Sequence, residues 1–254
     1  MVGESSAPVV VITGASAGIG AALARELAGR SASLVLIARR EEVLAELAAT
    51  IGTPVEVVPG DVTRRADLER GLERAVARFG GVDVWVNNAG RGITRSSVEA
   101  ITPEDLEVMI RDNTRSALQG MQVVLPHFKA RKQGVLVNVS SMLSRIPDAV
   151  ARAAYSAAKA ALNSLTESLR FELAKDYPGI RVVLVLPGVV ATDFGSSALG
   201  GGVDSRAIPG AQSVEEAARA IADGLFTGPV DVYTRPGGLA RVIGYVQGLG
   251  SSAR

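Results

Sequence analysis

A tyrosine and a lysine four positions apart, Tyr155 and Lys159 in Tyr-Ser-Ala-Ala-Lys, carry the most specific chemical signal in the chain. On a helix such residues share a face. An ammonium beside a phenol favours the phenolate and lowers a pKa that is otherwise about 10, which makes the tyrosine a usable proton donor and acceptor near neutral pH. With so few tyrosines and lysines in the chain, chance supplies about 0.06 such spacings, so an accidental surface pair is the lesser reading. The pair follows an apolar run that ends in Asn138-Val139-Ser140-Ser141. A hydroxyl at the carboxyl end of a strand can hold a substrate carbonyl or hydroxyl beside the tyrosine. Ser141 is the first choice for that role, with Ser140 and Ser144 as lesser choices. For each of them the plainer reading is a serine that satisfies a loop backbone.

A second constellation lies near the start. Thr13-Gly14-Ala15-Ser16-Ala17-Gly18-Ile19-Gly20 follows the run Val9-Val10-Val11-Ile12 and leads into Ala21-Ala22-Leu23. Glycines take backbone angles barred to other residues and leave room for a close neighbour. A strand that turns there into a helix aims unpaired N–H groups and a positive dipole end at one place, which favours a phosphate. A glycine turn without a ligand is the alternative. An acid roughly 20 residues beyond such a turn grips the ribose diol of NAD. That place holds Arg39, followed by Arg40. A guanidinium suits a 2′-phosphate in bidentate fashion, with Arg40 and Ser16 assisting, so NADP(H) is expected in preference to NAD(H). The plainer reading is that Arg40 simply begins the next helix.

These residues need a scaffold. Short, nearly continuous apolar runs at 8–12, 33–38, 55–58, 82–86, 134–139 and 180–186 read as strands covered on both faces, with 230–233 as a weaker seventh. Between them, 18–29, 41–50, 64–79, 103–130, 152–176 and 213–226 read as helices. Thr102-Pro103-Glu104-Asp105 is a well-formed helix start, with a Thr cap, Pro at the first helical position and acids in the first turn. The alternation predicts an α/β fold with a doubly wound parallel sheet, in one domain over 1–254. In such a sheet the first strand–helix turn lies at the carboxyl edge, where ligands bind.

With Thr-Gly-x-x-x-Gly-x-Gly at 13–20, Asn87-Asn88-Ala89-Gly90 after the fourth strand, Tyr155-x-x-x-Lys159, and Pro187-Gly188-Val189-Val190-Ala191-Thr192 after the sixth, the chain resembles the short-chain dehydrogenase/reductase family over about residues 8–233. The resemblance implies a Rossmann-type fold and a cofactor held by Gly14, Ser16, Gly18, Ile19 and Gly20. It adds Asp61 and Val62 near the adenine, then Asn88, Ala89 and Gly90. Pro187, Gly188, Val190 and Thr192 fall near the nicotinamide. It implies Tyr155, Lys159, Ser141 and Asn113 as the catalytic group, Asn113 holding a water that relays protons to the lysine. Bottom-up, Asn113 is an awkward helix-interior residue, because its side chain competes for backbone bonds. Asp61 reads equally as a helix-capping acid. The family's serine usually stands 13 residues before the tyrosine, where this chain has Met142. Ser141 therefore requires a loop one residue longer, within 143–152.

The activity so implied is reduction of a carbonyl to an alcohol, or the reverse, on a small molecule. The rival is a nucleotide-sensing or scaffold protein that keeps the fold without useful catalysis. A net charge of +1 gives no case for nucleic acid. The chain has no cysteine and a single histidine, His127, which excludes thiolate and histidine metal sites and a Ser-His-Asp triad. His127 is given no catalytic role. Without a signal sequence or an apolar run of roughly 18 residues, the expectation is a cytoplasmic protein with no membrane span. By resemblance, the helices at 103–130 and 152–176 are expected to build a homodimer or homotetramer. Residues 194–212, rich in glycine, are expected to form a mobile lid; candidate substrates span ketones, acyl thioesters, steroids and quinones, and the lid's composition favours the apolar ones. Leu239, Val242, Ile243 and Val246 stand at helical spacing, for core or subunit packing. A membrane-surface helix is the lesser alternative.

Overall fold

The computed structural model describes residues 7–251. Strand β1 (Val9–Thr13) buries all five side chains. Successive side chains of a strand point to opposite faces of its sheet. Val10 and Ile12 therefore pack with Leu34 and Leu36 on one side, while Val11 packs with Val35, Ile37 and Trp85 on the other. Burial on both faces explains why the strands read as unbroken apolar runs. The others are β2 (Ser33–Ala38), β3 (Val55–Pro59), β4 (Val84–Asn87), β5 (Gly134–Val139), β6 (Ile180–Leu186) and β7 (Asp231–Tyr233). All pair in parallel, in the order β3-β2-β1-β4-β5-β6-β7. The order reverses between β1 and β4, which opens a crevice beyond their carboxyl ends.

Helices α1 (Gly18–Gly29), α2 (Glu41–Ala49) and α7 (Val214–Gly224) cover one face of the sheet. Helices α3 (Arg65–Phe79), α5 (Ser116–Arg131) and α6 (Ala153–Leu173) cover the other. The stretch 103–130 is not one continuous helix. It divides into α4 (Pro103–Ile110), a π-helical turn at Arg111–Arg115 and α5. The cause is local: Asn113 Nδ2 donates to the Met109 carbonyl at 3.0 Å and so competes with the backbone ladder. The Thr102 start takes its expected form, a reciprocal capping box with Asp105.

A buried polar chain ties the layers together. Trp85 Nε1 donates to Asn87 Oδ1 at 2.8 Å, Asn87 Nδ2 to Asn138 Oδ1 at 2.9 Å, and Asn138 Nδ2 to Thr166 Oγ1 at 3.0 Å. It runs from β4 through β5 into α6, the helix that carries Tyr155 and Lys159. A satisfied internal network of this kind fixes one arrangement of its elements.

One expectation, packing of the tail in this chain's core, changes at the carboxyl end. The tail forms α8 (Gly238–Ser251), but Leu239, Ile243, Val246 and Leu249 lie on the surface and not in this chain's core. Within residues 194–212, Leu199 bridges to Ile93 and Gln212 to Val190. Among the described residues, no helix is long and apolar enough to cross a membrane.

Candidate active site

The glycine turn closes against the end of β4. Thr13 Oγ1 donates to the Val86 carbonyl at 3.1 Å and accepts the amides of Asn88 and Ala89 at 3.0 and 3.2 Å. Asn88 Nδ2 returns a bond to the Thr13 carbonyl at 2.9 Å. Gly14 has φ +66° and Gly18 φ +51°. A Cβ at Gly14 would stand 2.8 Å from the Ala89 Cα, inside any real contact distance. At Gly20 a Cβ would strike the Gly14 carbonyl and the Asn88 amide. Gly20 is therefore the packing glycine of the turn and lies behind it, whereas Gly14, Ser16, Gly18 and Ile19 face a cavity of about 1080 Å³. α1 starts with no side-chain cap, leaving its first-turn N–H groups to whatever occupies that cavity.

At one end of the cavity, Arg40 reaches back over the turn. Its Nη2 donates to Ser16 Oγ at 3.0 Å and to the Ser16 carbonyl at 3.1 Å. Arg39 lines the same wall and is exposed. Asp61 and Val62 line it too. Asp61 Oδ1 accepts the Thr63 amide and hydroxyl at 2.9 and 2.8 Å, so one carboxylate oxygen holds the local turn as a capping acid does.

At the other end stand Tyr155, Lys159 and Ser141, with Asn88, Ala89, Gly90, Pro187, Gly188, Val190 and Thr192 along the walls between. Lys159 Nζ donates to the Val139 carbonyl at 2.8 Å and lies 5.8 Å from the centre of the Tyr155 ring. Burial dominates both groups. It pushes the Tyr155 phenol up to about 12, against smaller opposing effects of the Ser141 hydroxyl and the Arg152 charge. It pushes the Lys159 ammonium down to about 7. The lowered phenol pKa expected from the Tyr–Lys spacing is thus not what this arrangement gives. Burying both side chains disfavours both charged forms, and the ammonium is directed at a carbonyl.

The serines separate cleanly. Ser140 Oγ donates to Asn163 Oδ1 at 2.5 Å, and Ser144 Oγ to the Ser141 carbonyl at 2.5 Å. Asn163 Nδ2 donates back to Ser144 Oγ at 2.8 Å. Ser141 Oγ accepts the Leu143 amide at 3.1 Å and meets the phenol. The extra residue ahead of Tyr155 is accommodated by two short 3₁₀ turns, Met142–Ser144 and Val150–Arg152. Asn113 is fully buried and does not line the cavity. Its Oδ1 accepts the Arg91 amide at 3.1 Å and its Nδ2 donates to the Arg91 carbonyl at 2.9 Å. A Cβ at Gly90 would sit 2.7 Å from that Oδ1 and 3.3 Å from Lys159 Nζ, so Asn113 fixes the chain that fronts the lysine.

Sequence reasoning passed over Asn163, although it continues the polar face of α6 at four-residue steps from Tyr155 and Lys159. Phe194, the first residue of the expected lid, has its ring edge-on to Tyr155 at 5.6 Å, and Arg152, which the sequence did not single out, stands three residues before the tyrosine. His127, on α5, accepts the Val82 amide at 3.1 Å, outside the cavity.

The residues present suit a dinucleotide: a turn with no space for a Cβ at Gly14, an uncapped helix start for a diphosphate, and two guanidinia for a further phosphate.

The comparisons agree with that geometry. The family model for short chain dehydrogenases matches residues 8–199. An uncharacterised oxidoreductase of Staphylococcus epidermidis is 36% identical over 193 residues, covering 74% of this chain and 82% of the relative. A short-chain dehydrogenase from Streptomyces avermitilis superposes with a TM-score of 0.84 at 30% identity, over 98% of this chain and 95% of that one. One from Sphingobium yanoikuyae, solved with NADPH, gives 0.78 at 31% identity, over 97% and 96%. Other similar solved chains are complexes with NADP or with NAD. By fold, by the residues gathered at the sheet's carboxyl edge and by these matches, the chain belongs to the short-chain dehydrogenase family of oxidoreductases.

Proposed function

We propose that this protein is an NADPH-dependent oxidoreductase that reduces a carbonyl to an alcohol, or runs the reverse reaction, with Tyr155 as the proton-transferring group. The observation that carries the reading is the convergence of the glycine turn, two arginines and a Tyr155–Ser141 pair on one cavity. Arg39 and Arg40 would hold the ribose 2′-phosphate, the turn and the start of α1 the diphosphate, and Pro187, Gly188, Val190 and Thr192 the nicotinamide. A bound nicotinamide supplies or accepts the hydride.

The chain's own residues handle the oxygen. With its phenol pushed up to about 12, Tyr155 keeps its proton at neutral pH and delivers it to the substrate oxygen during reduction. The Ser141 hydroxyl positions that oxygen beside the phenol. Lys159, with a pKa of about 7, changes charge in the working range and stabilises the phenolate left behind. Asn113 anchors Arg91 and, through Gly90, keeps Lys159 in place.

The test is a panel of carbonyl compounds with NADPH absorbance as the readout. Consumption with at least one class is the expected result. Tight NADPH binding with no consumption across the panel would point to the nucleotide-sensing alternative.

A further inference from the structure

Arg152 stands at the amino-terminal boundary of α6, three residues before Tyr155, and lines the same cavity as Tyr155 and Ser141. It is partly buried. Its Nη1 donates to the Ile93 carbonyl at 3.0 Å. A Cβ at Gly92 would lie 2.9 Å from Nη1, and one at Gly202 would lie 3.1 Å from Nη2. The guanidinium is thus enclosed between two stretches of glycine backbone that leave space for it.

It has no acidic partner among the described residues, and burial is the largest influence on its charge. Its neighbours differ. Arg241 pairs with Asp148 at 2.6 Å, Arg95 with Asp105 at 2.5 Å and Arg206 with Asp204 at 2.5 Å. A cation drawn out of water without a counter-charge is costly, and burial lowers its pKa. An anion delivered by a ligand would offset that cost. Leu143, Ile146 and Phe194 supply apolar wall along the same cavity.

We propose that Arg152 is the specificity-determining contact for a substrate carboxylate, so that the site takes short oxo acids and the matching hydroxy acids. This deepens the carbonyl-reducing reading and rests on it. Arg152 and Tyr155 stand three residues apart in the chain and line one cavity, so a short ligand can meet both. Reduction adds one hydride from NADPH to the carbonyl carbon and one proton from Tyr155 to its oxygen, and leaves the carboxylate unchanged. The apolar substrate class suggested by the composition of residues 194–212 gives way to an anion with a short carbon chain.

The experiment compares 2-, 3- and 4-oxo acids of four to six carbons with their methyl esters, using wild type, Arg152→Met and Arg152→Lys. The wild type should favour one acid over its ester by about 100-fold in kcat/KM, as expected for a charge-assisted, bidentate contact. Arg152→Met should collapse that ratio, and Arg152→Lys should restore part of it. Equal losses for acid and ester would reduce Arg152 to a brace for Ile93 and overturn the inference. Calorimetric titration of NADPH-loaded Tyr155→Phe with the same acids, with and without Arg152→Met, reads binding apart from turnover. Arg152-dependent binding without reduction by wild type would sink the reductase reading and keep the carboxylate contact. Reduction of esters with no acid preference would do the opposite.

Discussion

Lys159 lies one helical turn beyond Tyr155, with Nζ 5.8 Å from the centre of the phenol ring, while its hydrogen bond goes to the Val139 carbonyl at 2.8 Å. The pair is therefore coupled through space and shared burial, without a direct bond. Each group carries a proton question of its own. Tyr155 holds its proton through the neutral range, and Lys159 titrates within it.

On the proposed mechanism, replacing the phenol removes the proton donor and little else. Tyr155→Phe should lower kcat by about 10³-fold, in the range of general acid–base contributions, while NADPH affinity by calorimetry changes less than threefold. Undiminished kcat would take Tyr155 out of the mechanism.

Burial of Lys159 makes folding stability depend on pH. Its pKa is about 7 in the fold and about 10.4 in an unfolded chain. Between those values the unfolded state binds more protons, so this group's contribution to stability rises with pH and the burial penalty is fully felt only below about 7. Relative to Lys159→Met, the cofactor-free wild type should gain about 3 kcal/mol between pH 7 and pH 9.5. Urea denaturation of both proteins at the two pH values measures it. A constant difference would mean that Lys159 is not desolvated.

Arg39 and Arg40 should decide which dinucleotide is used. Arg39→Asp should lower kcat/KM with NADPH by about 100-fold and raise it with NADH, since a carboxylate repels a 2′-phosphate and accepts from a ribose diol. Equal use of both cofactors by the wild type would refute the assignment.

The glycine turn has a built-in control. Gly14→Ala places a Cβ 2.8 Å from the Ala89 Cα at φ +66°, and should cost about 1–2 kcal/mol in backbone strain alone, with loss of NADPH binding. Gly29, in the last turn of the same helix, has nothing within 4 Å of its notional Cβ. Gly29→Ala should be neutral or stabilise slightly. Thermal shifts with and without NADPH separate the two effects.

Asn138 is fully buried at the centre of the polar chain from Trp85 to Thr166. Asn138→Ala strands a donor of Asn87 and should cost about 2–3 kcal/mol by urea denaturation. An unchanged midpoint would show that water replaces the lost amide.

The sequence alone determined the sheet. Doubly covered strands are mostly apolar, and glycines mark a turn with φ near +60°, so β1 to β6 and the first strand–helix turn were legible to within one or two residues at their ends. The resemblance to short-chain dehydrogenases followed from four motifs in order, and the family match bears it out. Tyr155 and Lys159 were legible because four residues is one helical turn. What the tertiary structure decided are relations between segments far apart in the chain. Ser141 was already preferred to Ser140 in the sequence, and the tertiary structure adds that Asn163 draws the Ser140 hydroxyl away. The π turn came from the reach of one side chain to a carbonyl four residues back. The phenol's upward shift came from desolvation, which depends on everything packed around Tyr155 and on no spacing along the chain. Arg152 was silent for the same reason: whether a guanidinium lacks a counter-ion is a property of its enclosure, and that enclosure is assembled from Gly92, Ile93 and Gly202.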